Sequence, residues 1–216
     1  MEKAKKFVKD NKKFLISISI LMITNIILYW GIKLFQNNPI YINYYLDDKI
    51  PFWGWLIYIY NMFYPFCFIA FYLLYKKDEK SYFKGIISCL IGILICNIIY
   101  LFIPTIMYRP VTPNYDPLTN LVLKITYFFD DPPLNCFPSL HCVFCFQVII
   151  SYIMSKCTIK RKTWIIICSS LIMISTLFVK QHYIFDIIAA FLVCLIANML
   201  EGLFGIYNKL HKKKII

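Results

Sequence analysis

Residues 164–204 read WIIICSSLIMISTLFVKQHYIFDIIAAFLVCLIANMLEGLF. Two apolar runs flank a short polar junction, and each approaches the roughly 20 helical residues that cross a hydrocarbon core about 30 Å thick. Lys180, His182 and Asp186 sit at the junction. Ionisable groups against a membrane span are costly and are functional candidates by default. The stretch therefore reads as two neighbouring spans with a candidate site at the end they share.

Working outward, four further apolar runs occur at 14–35, 52–75, 83–101 (extending to 106) and 140–154, which with 164–179 and 183–204 make six expected spans. The runs 140–154 and 164–179 are short by apolar count alone, so their ends must include polar residues at the membrane surface. The composition agrees: 60% hydrophobic and 16% charged, with a mean hydropathy of +0.65. An ordinary soluble domain is about 45–50% apolar and about 25% charged. The expected fold is all-α, an integral membrane bundle of six transmembrane helices forming one domain over 1–216, with an outer-face loop and a short interfacial helix. The nine cysteines lie mostly inside apolar runs and read as soft packing residues. The opening MEKAKKFVKDNKK resembles a secretory signal, but its apolar run exceeds the usual core and no small-residue cleavage site follows, so it reads as an uncleaved anchor.

The net charge of +12 first suggests nucleic acid or an anionic membrane. Placement decides between them. The leader 1–13, the links around Lys76–Lys84 and Lys156–Lys162, and the tail 208–216 carry eighteen of the 23 basic residues, all on one side of the expected bundle. By the positive-inside rule both termini are cytoplasmic and the other links face outward, in the plasma membrane. The charge is topological, and no nucleic-acid partner is expected.

Seven of the ten prolines fall between Pro104 and Pro138, in the longest expected outer loop. Within it, Asp116-Pro117 followed by LTNLVLKITYFF reads as an N-cap, a Pro at the first helical position and a short amphipathic helix.

The ionisable or strongly polar residues at the outer span ends are Arg109, then Asn135, Ser139 and His141, then Lys180, His182 and Asp186. At i, i+4 on a helix, Asp186 can hold one ring nitrogen of His182 protonated while the other attacks. In NCFPSLHC, Pro138 suits the first helical position, which leaves the N–H groups of Ser139, Leu140 and His141 free for an anion. His141 can donate a proton to a leaving oxygen, and Arg109 offers a multidentate donor for phosphate. Such a set serves phosphoryl transfer by positioning and charge stabilisation. His141, Cys142 and Cys145 do not form a metal cluster, because neighbouring helical residues point about 100° apart; no metal or other cofactor is expected.

At these residues the chain resembles the phosphatidic acid phosphatase type 2 superfamily. Its signatures are Lys-x6-Arg-Pro, Pro-Ser-x-His and Ser-Arg-x5-His-x3-Asp, matched by Arg109-Pro110, by Pro138-Ser139-Leu140-His141, and by Ser175 with His182 and Asp186. Phe102 and Thr176 stand where the signatures have Lys and Arg. The segments DDPPLNCFPSLH and KQHYIFD resemble the branch containing inositol phosphorylceramide synthase and sphingomyelin synthase. The resemblance implies that His182 is a nucleophile forming a phospho-enzyme, Asp186 its orienter and His141 the leaving-group acid. Arg109, Ser139 and Lys180 would bind phosphate.

The expected activity is therefore hydrolysis of a phosphorylated lipid on the outer face. Two other readings remain open on sequence alone: transfer of the phosphoryl or phospho-headgroup to an alcohol, and a non-enzymatic transporter or scaffold.

Overall fold

A computed structural model describes residues 2–109 and 115–216. Pro110 and Pro113, which the sequence reading assigns to a signature and to turns, lie outside the described residues. The helices are α1 (Glu2–Asp10), α2 (Lys12–Lys33), α3 (Ile57–Asn61), α4 (Phe63–Lys77), α5 (Glu79–Phe102), α6 (Pro117–Phe128), α7 (Leu140–Ile153), α8 (Ile159–Phe178), α9 (Ile184–Phe204) and α10 (Ile206–Lys212).

Among the described residues, five segments are long and apolar enough to cross a bilayer: Lys12–Lys33, Gly54–Lys77, Glu79–Phe102, Ile159–Phe178 and Ile184–Phe204. The remaining apolar helix, α7, has 14 residues and is shorter than that limit. The chain is an integral membrane protein with an all-α bundle.

α5 and α7 form the centre. α5 packs on α2, α4, α7 and α9, and α7 packs on α8 and α9. Both helices bury aromatic, aliphatic or thiol groups: Tyr82, Cys89, Ile93, Cys96 and Tyr100 from α5, and Val143, Cys145 and Val148 from α7. The two helices approach closely at Gly85, where a Cβ would lie 2.3 Å from the hydroxyl oxygen of Ser151. The outward faces are as apolar as the core, with Ile23 and Ile27 of α2, Leu94 and Ile98 of α5, and Leu192 and Met199 of α9 exposed. Such continuous apolar surface is untenable in water and natural against lipid.

Contacts sort the two ends of the bundle. At one end Lys13 pairs with Glu79 (3.7 Å) and Lys84 with Glu201 (3.6 Å). There Asp78 caps α5 through the Ser81 N–H and also accepts the Lys156 N–H at 3.0 Å. These contacts gather the lysine-rich links. At the other end of α2, Lys33 meets Asp130, and short bridges join Ile40 to Thr105 and Ile106 to Leu134. α6 lies at this second end, capped as its sequence implies: Asp116 accepts the N–H groups of Leu118 (3.1 Å) and Thr119 (3.0 Å), with Pro117 at the helix start. α6 rests on α3 through Tyr58–Thr119 and Asn61–Thr126 hydrogen bonds, each 3.0 Å.

Candidate active site

The junction between α8 and α9 is shaped by the end of α8. The Thr176 carbonyl accepts the N–H groups of Gln181 (2.9 Å) and His182 (3.3 Å), and Lys180 adopts the left-handed region (φ 49°) to complete the turn. His182 thus precedes α9, so the expectation that it shares a helical face with Asp186 is corrected. The two residues meet because Asp186 stands at the third position of α9 and reaches back over the helix start. Its Oδ2 accepts the Tyr183 N–H at 2.8 Å and lies 3.2 Å from Nδ1 of His182. Nδ1 also faces the Cys136 carbonyl at 3.2 Å. Both neighbours can only accept, so the ring proton belongs on Nδ1 and the lone pair on Nε2.

That Nε2 faces Nδ1 of His141 at 3.5 Å, and Nε2 of His141 lies 3.1 Å from the Tyr60 hydroxyl. One donor direction satisfies the whole row: Tyr60 donates to His141, His141 directs its Nδ1–H at His182, and His182 donates to Asp186. Residues of α3, α7 and the α8–α9 junction, far apart in sequence, are thereby brought together. The ring of His141 packs against Phe63 and Tyr60, with centroids 4.5 and 5.0 Å away. Both histidines line a cavity of about 540 Å³. The same cavity is lined by Ile26 and Trp30 of α2 and by Ile125 and Phe129 at α6, all of which are also exposed. Its far side therefore opens laterally between α2 and α6, toward the apolar surroundings.

A family model described as the PAP2 superfamily matches residues 27–200. The chain belongs to the PAP2 superfamily. No curated protein and no solved structure matches it. Membership places the chain among phosphatase-type lipid enzymes, and the other residues of the superfamily's signatures can be read against the geometry.

Ser139 is the N-cap of α7, with its hydroxyl oxygen accepting the Cys142 N–H at 3.2 Å and its own N–H donating to the Asp186 carbonyl at 3.2 Å. The expectation that Pro138 opens the helix and leaves the Ser139 N–H free is corrected: serine is a strong N-cap, and it takes that place one residue after the proline. Ser139 thereby ties the start of α7 to α9.

Arg109 is held by Asp130, by the Gln181 side-chain oxygen at 3.0 Å and by stacking on Tyr127, 4.5 Å from guanidinium carbon to ring centre. Lys180 is not brought to the histidines. Its ammonium donates to the carbonyls of Asp47 (3.0 Å) and Ile50 (2.7 Å) and lines a separate cavity. Burial pulls its pKa below the ordinary lysine value, and Asp47 and Asp48 partly oppose this.

At the positions where superfamily cations are absent, Phe102 is exposed on the outer surface and Thr176 is buried, its hydroxyl spent on the Met173 carbonyl at 2.7 Å. Neither replaces a cation.

Sequence reasoning missed Asp130 and Lys33. Asp130 lines the histidine cavity, and its two oxygens are shared among Arg109, the Lys33 ammonium (3.2 Å) and the Tyr29 hydroxyl (2.6 Å). Lys33 is nearly buried, with a side chain 6% exposed. The available signals were an acidic pair before two prolines and a lone cation ending an apolar run, and neither names its partner. Asn135 closes the same corner, donating to the Tyr29 carbonyl at 3.0 Å and accepting from Gln36.

Proposed function

We propose that this protein is a lipid phosphatase that hydrolyses the phosphomonoester or diphosphate of a membrane lipid through a phosphohistidine on His182. One observation carries the reading. In a cavity open toward lipid, His182 has its Nδ1–H fixed by Asp186 and its Nε2 lone pair facing a second histidine.

The row of donors supplies each step. The substrate's phosphoryl group parts the two imidazoles, and its phosphorus lies against Nε2 of His182. That lone pair forms the N–P bond as the P–O bond to the lipid breaks, and the proton on Nδ1 of His141 passes to the leaving oxygen. Asp186 stabilises the charge that develops on the His182 ring. Water then attacks phosphorus, gives its proton to His141, and the N–P electron pair returns to Nε2. Arg109 supplies charge complementary to the phosphate, and Ser139 keeps α7 and His141 in place. Lys180 is assigned to holding the 47–50 loop.

The end of the bundle where the lysine-rich links gather is the cytoplasmic one by the positive-inside rule, which places the histidines at the outer face. A phosphate-release screen over phosphorylated lipids in detergent, with His182→Ala as control, tests the function. Release by the parent and none by the variant is expected, and equal release would overturn it.

A further inference from the structure

Gln181 immediately precedes the candidate nucleophile, is 4% exposed and lines the histidine cavity. Its side-chain oxygen faces an N–H of Arg109 at 3.0 Å. Because a guanidinium can only donate, the atom facing it must be the amide oxygen, and the amide orientation follows from that contact. The NH2 group is then turned away from Arg109. It has no hydrogen-bond partner among the described residues, and a buried donor without an acceptor is a costly arrangement that native proteins avoid.

The surroundings indicate what completes it. Arg109 and Lys33 contribute two cations to the cluster, and Asp130 contributes one anion. Beside a guanidinium, a free N–H donor of this kind suits a ligand that brings acceptor oxygens and negative charge. Thr176, at the position where the superfamily signature has a cation, has its hydroxyl bonded to its own helix. Among the described residues, Gln181 combines an unsatisfied donor with a place in the cavity lining.

We propose that Gln181 binds the substrate's phosphate, its amide N–H donating to a non-bridging oxygen while Arg109, anchored by Asp130, holds its carbonyl. This rests on the phosphatase reading. It makes Arg109 act on the substrate partly through Gln181, and it makes a neutral donor serve where a cation is missing.

Orthovanadate is the probe, read by thermal melting of the full chain in detergent. Gln181→Glu keeps an oxygen for Arg109 and removes the donor, whereas Gln181→Met keeps the length and removes both polar atoms. The half-saturating vanadate concentration is expected to rise by about tenfold or more in each variant, the loss of one hydrogen bond to a charged group. The melting temperatures of the parent and of Gln181→Glu, which keeps the acceptor for Arg109, should stay close without vanadate. A merely structural role would shift those temperatures and leave the vanadate dependence alone. Equal half-saturation in parent and variants, or no stabilisation of the parent by vanadate, would overturn the proposal. A parent that vanadate stabilises but that releases no phosphate from lipids would overturn the phosphatase reading and leave the anion seat standing.

Discussion

Nδ1 of His182 lies 3.2 Å from Oδ2 of Asp186, although the histidine stands before the helix and the carboxylate inside it. The contact is made by a helix start. Asp186 satisfies the Tyr183 N–H and the imidazole with one oxygen, so capping and orientation of the His182 ring are the same event.

Asp186→Asn should therefore leave the bundle assembled but let the imidazole take the wrong tautomer. We expect kcat for lipid phosphate release to fall by about 10²–10⁴-fold, by analogy with other histidines that lose an orienting carboxylate. KM should change little. Steady-state kinetics in mixed micelles checks this, and a KM effect with kcat preserved would speak against the assigned role.

Asp130 joins α6 to α2 by holding Arg109 and Lys33 at once. Asp130→Ala leaves two largely buried cations without their counter-charge, a change of about 3–5 kcal/mol for a buried pair. A clear drop in melting temperature is expected, and Lys33→Met introduced together with Asp130→Ala should restore part of it. A double variant no more stable than Asp130→Ala would show that Lys33 is not coupled to Asp130.

At the lysine-rich end, Asp78→Ala removes the N-cap of α5, with a cost of about 1 kcal/mol. Burial by itself raises the Asp78 pKa, and the N–H groups of Ser81 and Lys156 outweigh it and hold the carboxyl below its ordinary value. The folded state thus prefers the ionised form. The stabilisation is present above the unfolded carboxylate pKa, about 4, and is lost as pH falls through the lower folded value. Melting curves of parent and variant should converge toward acid pH.

Gly85→Val tests the packing of α5 on α7, because the added carbon meets the Ser151 hydroxyl with no room to spare. A loss of about 1–3 kcal/mol is expected from overpacking, read as a lower melting temperature. Gly85→Val with Ser151→Ala should recover part of it.

What could be read in the residues was whatever depends on neighbours in sequence. Asp116-Pro117 announces the start of α6 because cap and proline act within one turn, and the apolar runs announce helices because a bilayer fixes their length. His182 and Asp186 were found together for the same local reason, though the helix starts after the histidine. The role of Ser139 was shifted by one position, since a serine able to cap competes with the proline for the helix start. Lys33 and Asp130 escaped altogether: they are far apart in the chain, and only the packing of α6 beside α2 gives each a partner. Lys180 looked like a phosphate ligand by its place in the sequence, but its left-handed turn sends the ammonium to the carbonyls of the 47–50 loop.

The proposed mechanism turns on covalent attachment of phosphorus to His182. Incubating the protein with a lipid phosphate carrying radioactive phosphorus, quenching rapidly in alkali and mapping the label tests it directly. An alkali-stable, acid-labile phosphoryl group is expected on His182 and absent from His182→Gln. Label on another residue, or undiminished phosphate release by His182→Gln, would contradict it.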